Sequence, residues 1–220
     1  MKPNVGNQLE LSFSSSPPSD SYLNSEELSM PDARVIIYRN FFNKEEADSL
    51  YSELFVSIRW RQDTIKYYGK EIDLPRLTAW YGDEGTSYTY SHIPMQSDPW
   101  TPSLLLIKRR IELVAGVNFN SVLLNLYRHG KDGVSWHQDN ERELGSNPVI
   151  ASVSLGATRR FQFRHKLRKE LSKVDLDLTH GSLLIMKDTT QQFWQHQIPK
   201  TAKPVEPRIN LTFRVITPIR

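Results

Sequence analysis

The sequence predicts a mostly β fold with flanking helices (α+β), built on a double-stranded β-helix or jelly-roll core. Three observations carry that prediction. After Gly116 the chain breaks into short β-branched or aromatic segments, Ser121–Tyr127, Val149–Leu155, Arg160–Arg164, Ser182–Met186 and Arg208–Val215, parted by turn residues. Such spacing indicates a sandwich or barrel rather than alternating strands and helices. Ahead of them lie two stretches with apolar residues at helical spacing, enough to cover one sheet of a double-sheet jelly roll. Finally, Arg208-Ile-Asn-Leu-Thr-Phe-Arg-Val215 alternates strictly: Ile209, Leu211, Phe213 and Val215 share one face, and Arg208, Asn210, Thr212 and Arg214 share the other.

Taken in order, residues 1 to about 30 are rich in Ser, Pro and Asn and contain Ser14-Ser-Ser-Pro-Pro-Ser-Asp20. A stretch so poor in apolar side chains cannot offset its ordering entropy and is expected to be a flexible tail, leaving 31–220 as one domain. Val35-Ile-Ile-Tyr38 is a short strand. Asn43 and Glu46 then form a capping box, and Ala47, Leu50, Leu54 and Ile58 line one side of the helix that follows. A second helix starts at Thr101, with Pro102 at its first position and Gly116 closing it. Its apolar residues are Leu104, Ile107, Ile111 and Val114, while Lys108, Arg109 and Glu112 face out. No internal repeat is present.

Composition sets further bounds. The 220 residues contain no cysteine, which excludes disulfides and zinc–thiolate sites. Lys and Arg outnumber Asp and Glu 28 to 25, and the pI of about 9.0 points only weakly to nucleic acid. No apolar run approaches the roughly 20 residues of a membrane span, and no charged-then-apolar leader opens the chain. The expectation is a protein that is not secreted: cytoplasmic in a bacterium, nuclear or cytoplasmic in a eukaryote.

The chemistry-bearing pattern is His137-Gln-Asp139 followed by His196. Two imidazoles and a carboxylate make the facial triad that leaves open positions on a non-haem ferrous iron. A histidine and an aspartate at i and i+2 project from one face of a strand. A lone His-x-Asp is more often a hydrogen-bonded loop pair than a ligand pair. Among the six histidines, His129 sits in a His-Gly-Lys-Asp-Gly turn, and His165 lies in a basic run and, like His92, is expected at the surface. His92 lies near a proline and His180 before Gly181, whereas His196 falls in the strand-like Trp194-Gln-His-Gln-Ile-Pro199 and is the better third ligand. Arg208 and Arg214 carry planar forks that bind carboxylates bidentately, so together they suit a small dicarboxylate. Asn125 and Tyr127 share one face of their strand and offer further hydrogen bonds to the same acid. A polar strand face turned to water is the plain alternative.

These segments resemble the AlkB family of iron- and 2-oxoglutarate-dependent nucleic-acid demethylases. The likeness runs from about Pro75 to Thr217. It rests on Pro75-Arg-Leu-Thr-Ala-Trp-Tyr-Gly82, Tyr88-Thr-Tyr-Ser91, Asn125-Leu-Tyr127, Trp136-His-Gln-Asp139, Ile150-Ala-Ser-Val-Ser-Leu-Gly-Ala157, His180-Gly-Ser-Leu-Leu-Ile-Met186 and Arg208-Ile-Asn-Leu-Thr-Phe-Arg214. The resemblance implies that His137, Asp139 and His196 ligate Fe(2+), with O2 as oxidant. It implies that Asn125, Tyr127, Arg208, Asn210 and Arg214 hold 2-oxoglutarate, Arg208 at the distal carboxylate and Arg214 nearer the chelating end. Ile150–Leu155 and His180-Gly181 are expected to be framework. The chain departs from many relatives at Asn140, where they carry a second acid; Glu141 matches the carboxylate that faces the base edge.

On the substrate side, Trp80, Tyr81, Tyr88 and Tyr90 around Gly82-Asp-Glu-Gly85 are expected as an aromatic hairpin. In the family the corresponding region, about 75–95, forms a lid over the base pocket, and the jelly roll spans about 120–217. Aromatic cross-strand pairs also stabilise hairpins on their own. A base taken out of its stack needs π-faces and edge hydrogen bonds: Tyr90 or Trp80 on one side, the His137 ring on the other, and Arg76 and Glu141 at the rim. The cations Arg159, Arg160, Arg164, Lys166, Arg168 and Lys169 are expected to hold phosphates, against the alternative of a solvated face. The partner implied is alkylated DNA or RNA, as a single strand or a flipped base, met by a monomer that needs no membrane. The resemblance implies hydroxylation of an N-alkyl group, as in 1-methyladenine or 3-methylcytosine, with release of succinate, CO2 and formaldehyde. The rival readings are an oxygenase of the same fold acting on protein or lipid, and a non-catalytic jelly-roll module that binds nucleic acid.

Overall fold

The computed structural model describes residues 24–67, 70–85, 87–90 and 93–217. In chain order the elements are β1 (Ser25–Leu28), β2 (Arg34–Tyr38), α1 (Lys44–Ser57), β3 (Thr64–Tyr67), β4 (Lys70–Asp73), β5 (Leu77–Gly82), β6 (Ser87–Tyr90), β7 (Ile93–Gln96) and β8 (Asp98–Pro99). They continue with α2 (Pro102–Ala115), β9 (Ser121–Tyr127), β10 (Val134–His137), a 3-10 turn at Arg142–Leu144, β11 (Ile150–Gly156) and β12 (Arg159–His165). The last are β13 (Val174–Leu178), β14 (Ser182–Lys187), α3 (Thr190–Phe193), β15 (Trp194–Ile198) and β16 (Arg208–Arg214).

Both long helices start where the sequence signals them, and α2 also stops there; Ile58, expected on the apolar side of α1, is its extended C-cap instead. At α1 the Asn43 side chain accepts from Glu46 N, and the Glu46 carboxylate accepts from Asn43 N. At α2 Thr101 caps Leu104 N, Pro102 opens the first turn, and Gly116 ends the helix in the left-handed conformation at φ 73°. Of the three α2 residues expected to face out, only Arg109 is exposed. Lys108 and Glu112 form a half-buried pair at 3.0 Å, and Glu112 also accepts from Phe119 N, tying the helix to the strand entrance.

Two sheets face one another. The larger has the order β1-β2-β14-β11-β16-β9-β5-β8, and the smaller β10-β15-β12-β13. Alternation divides the large sheet into two layers of packing. Leu124, Leu126, Val153, Leu155, Leu183, Ile185, Ile209, Leu211 and Phe213 meet Ala47, Leu50, Leu54, Leu104, Ile107 and Ile111 of the helices. The opposite face, with Leu123, Ile150, Leu184 and Met186, meets Phe161, Phe163, Leu176 and Trp194 of the small sheet. This is the jelly-roll arrangement with helices on one sheet.

The structure corrects several expectations. Ser25–Leu28, inside the stretch expected as a tail, is an edge strand paired with β2; residues 1–23 lie outside the described residues. The aromatic hairpin does not join Trp80 and Tyr81 to Tyr88 and Tyr90. β5 is an integral strand of the large sheet, paired with β9, and β6 pairs with β7 instead. A further hairpin, β3–β4, was not evident from the sequence. His165 is buried rather than on the surface: its Nδ1 accepts from Leu167 N and Arg168 N, and its ring stacks on Phe193. His92 lies outside the described residues.

Two predictions follow from the packing. Leu54→Ala, at a site with no exposure, should lower unfolding free energy by about 2–5 kcal/mol in urea titration; a loss under about 1 kcal/mol would refute the helix–sheet layer. Gly181 has φ 76°, and a Cβ there would sit 2.4 Å from Phe42 O. Gly181→Ala should therefore cost more than about 1 kcal/mol, the left-handed penalty alone, and an unchanged melting temperature would contradict this account.

Candidate active site

Strand pairing brings two of the expected ligands together. β10 and β15 are antiparallel neighbours in which His137 is the direct partner of His196. Their rings lie 4.2 Å apart between centroids, and Phe161 stacks on His196 at 5.2 Å. Asp139 is not on the same strand as His137, as the i, i+2 argument required. β10 ends at His137, and Asp139 lies two residues beyond, in the segment leading to the 3-10 turn. The convergence nevertheless occurs: a nitrogen of each histidine and a carboxylate oxygen of Asp139 all lie within 4.8 Å of one another.

The protonation states suit a cation. His137 Nδ1 donates to Ser135 O at 2.8 Å, so Nε2 is the ring nitrogen left to face a ligand. Burial pushes His196 down to about 3, helped by the neighbouring His137, so its ring is neutral at physiological pH. Burial alone would raise the Asp139 carboxyl. The Arg214 guanidinium, whose Nη2 donates to Asp139 Oδ1 at 3.0 Å, and the His196 and His137 rings together outweigh it and hold the group at about 2. Two imidazole nitrogens, that of His196 held neutral by burial, and an ionised carboxylate oxygen form a donor set that fits ferrous iron.

The polar face of β16 points inward, between the sheets. Arg208, Asn210, Thr212 and Arg214 line a cavity of about 480 Å³, mouth included, together with Arg76, Asn125, Tyr127, Ser152, His137, Asp139 and His196. Arg208 is 1% exposed; its Nη2 donates to Ser154 Oγ at 2.9 Å, and the Tyr127 ring lies 5.2 Å from its guanidinium. Among the described residues its Nε and Nη1 have no hydrogen-bond partner, and no carboxylate lies within ion-pair distance. Burial lowers this guanidinium to about 10, which still leaves it cationic at neutral pH. Asn210 donates to Ser152 Oγ at 2.8 Å and to Val153 O. Asn125 Oδ1 accepts from Arg76 Nε at 2.7 Å.

Sequence reasoning misplaced several residues around this cavity. Arg76, expected at a rim, is 4% exposed and also reaches Gly133 O. Tyr81 is buried on the helix side of the large sheet, because adjacent residues of β5 point to opposite faces; it is corrected out of the substrate group. Trp80 faces the inter-sheet layer without lining the cavity. The backbone of Tyr88 and Tyr90 forms β6, but their side chains lie outside the described residues. Ser152 and Ser154, expected as framework, touch the cavity-lining Asn210 and Arg208. Arg159 binds no surface phosphate: it is 3% exposed and donates to Asp132 O and Pro199 O. Glu141 is half-buried, and its Oε2 is shielded from water with no partner among the described residues.

Comparisons with known proteins agree with this geometry. The family model for the 2OG-Fe(II) oxygenase superfamily matches residues 34–214. The alpha-ketoglutarate-dependent dioxygenase alkB homolog 3 of Bos taurus is 46% identical over 84% of this chain and 67% of its own length. The protein of that name in Homo sapiens is 45% identical over the same shares. The DNA oxidative demethylase ALKBH2 of Homo sapiens is 40% identical over 81% of this chain and 72% of its own. Among solved structures, that of OsALKBH1 aligns with a TM-score of 0.60 over 87% of this chain and 99% of the other, at 15% identity, which speaks for the fold. The chain thus belongs to the 2OG-Fe(II) oxygenase superfamily and, within it, to the AlkB family of 2-oxoglutarate-dependent dioxygenases.

Proposed function

We propose that this protein is an oxidative demethylase of alkylated nucleic acid, using Fe(2+), 2-oxoglutarate and O2. The observation that carries the reading is one cavity holding both the His137, Asp139 and His196 donor atoms and an inward strand of two buried arginines. The names of its relatives, a DNA oxidative demethylase among them, supply the substrate class. When bound, ferrous iron supplies O2 activation coupled to oxidative decarboxylation of 2-oxoglutarate to succinate and CO2, with one oxygen atom delivered to the N-alkyl carbon. The resulting N-hydroxymethyl group is a hemiaminal; it expels formaldehyde, and loss of the remaining ring proton to solvent restores the unmodified base.

The chain's own residues do the holding and aiming. Arg208 is a buried cation without a carboxylate partner among the described residues, a costly state that a dicarboxylate's distal end relieves. Arg214 is already engaged with Asp139, which favours a role at the metal-side end of the acid. Tyr127, Asn125 and Asn210 complete a polar wall that orients the co-substrate between the two guanidinium groups. Phe161 and Ile198 make the rest of the cavity apolar and limit the water that reaches it. Glu141, two residues past Asp139, keeps a carboxylate oxygen away from water. A methylated base carrying positive charge is a fitting partner for that oxygen. A target base must leave its stack to reach a cavity lined this way, so single-stranded or flipped-out substrate is the form proposed. Such a substrate sets the working compartment as cytoplasm or nucleus. Among the described residues no helix is long and apolar enough to cross a membrane.

Two outcomes test this function. Formaldehyde and succinate should appear together only when iron, 2-oxoglutarate and an oligonucleotide carrying 1-methyladenine or 3-methylcytosine are all supplied, and His137→Ala should abolish both. Metallated protein that yields neither product across methylated DNA and RNA would refute the demethylase reading. Arg208→Gln should raise KM for 2-oxoglutarate about 30-fold or more, the ~2 kcal/mol lower bound for truncating a buried charge partner. An unchanged KM would remove Arg208 from the co-substrate site.

A further inference from the structure

Asp139 is the one member of the triad outside the paired strands, so something other than sheet hydrogen bonding must fix its direction. Its carboxylate is tied at one oxygen to Arg214. Its backbone is held from another side. The Gln191 side chain, 1% exposed, accepts the Asp139 N–H at Oε1, 3.0 Å away. Because a backbone N–H can only be accepted by the amide oxygen, Gln191 Nε2 is left to face Met186 Sδ, which it does at 3.3 Å.

Gln191 lies in the short turn α3, and that turn is itself anchored. Gln138 Nε2 donates to Gln191 O at 2.7 Å and to Gln192 O at 3.1 Å, adding a second link between α3 and the ligand segment. On the other side Thr190 Oγ1 accepts from Arg34 N at 3.0 Å and donates to Lys187 O, joining α3 to β2 and to the end of β14. A rigid sheet edge is therefore connected through one buried amide to the peptide unit that carries the acidic ligand.

We infer that Gln191 is a positioning residue for the metal site: it sets where the Asp139 carboxylate points, and thereby the affinity of the triad for a divalent cation. The inference rests on the reading of His137, Asp139 and His196 as the metal ligands. Two fixed points are needed to aim a carboxylate. Arg214 supplies one at the oxygen and Gln191 the other at the backbone, so that the remaining carboxylate oxygen is presented to the imidazoles. Removing the amide acceptor leaves a buried N–H unsatisfied, which the segment relieves by moving. Partners one layer behind metal ligands are worth about 10–100-fold in metal affinity.

The test is Mn(II) binding to the full chain, followed by the free-ion magnetic resonance signal. Q191L should bind Mn(II) about 10–100-fold more weakly than the unsubstituted protein. Q191E, which keeps an oxygen acceptor for the Asp139 N–H, should bind within about threefold of the unsubstituted protein or more tightly. Q191L binding within twofold of the unsubstituted protein, or Q191E losing as much as Q191L, overturns the inference. Hydrogen exchange needs no variant: the Asp139 amide, outside any strand, should exchange as slowly as the amides of β15, and free exchange overturns the inference equally. Failure of the unsubstituted chain itself to take up Mn(II) would instead sink the metal reading beneath it.

Discussion

A carboxylate and a guanidinium buried together between two sheets govern this molecule's chemistry. Asp139 and Arg214 are each almost sealed from water, 3.0 Å apart, and come from segments 75 positions distant in the chain. Neither charge is tolerable there alone; breaking such a pair costs about 3–5 kcal/mol. The pair therefore fixes the segment after β10 against the last residue of β16. It also keeps an anion ionised beside two imidazoles, one of which burial holds neutral. A site with that balance suits a divalent cation.

The same strand that supplies Arg214 places Arg208 at its other end, six residues away on the same face. Between them Asn210 and Thr212 are occupied with each other and with Ser152, so the wall between the guanidinium groups is rigid and already hydrogen-bonded. Arg208 is the exception, a cation with Ser154 and the Tyr127 ring for company and no acid within reach among the described residues. Folding a guanidinium into that environment makes sense only where an anion arrives from solution. The contrast between an Arg214 paired with a carboxylate and an Arg208 without one among the described residues is what supports proposing one end of the cavity for the metal and the other for the co-substrate.

Much of this was legible in the sequence because it was written in periodicities. The 2-residue alternation of β16 and β9 sorted Arg208, Asn210 and Arg214 from Ile209, Leu211 and Phe213, and the helix caps at Asn43, Thr101 and Gly116 are local signals needing no tertiary information. What escaped depended on which face of a strand is inward. Read with Phe161 and Phe163 buried, the same alternation puts Arg159 and His165 inside, a signal that the density of cations in the run concealed. Trp80 and Tyr81 are neighbours on β5 and cannot serve one pocket. Ser152 and Ser154 are small, and only the position of β11 beside β16 gives them a role. Gln191 was invisible because its hydrogen bond to Asp139 spans 52 residues and follows no pattern. The edge strand Ser25–Leu28 is polar in composition and gains its order from pairing with β2, which a local reading could not supply.

The most direct measurement is a crystal structure of the full chain grown anaerobically with Mn(II) and 2-oxoglutarate, with the ion located by its anomalous signal. A single ion bonded to His137, Asp139 and His196, with the distal carboxylate of the acid on Arg208, is the predicted result. An ion bound elsewhere, or one that leaves His196 uncoordinated, would contradict the account.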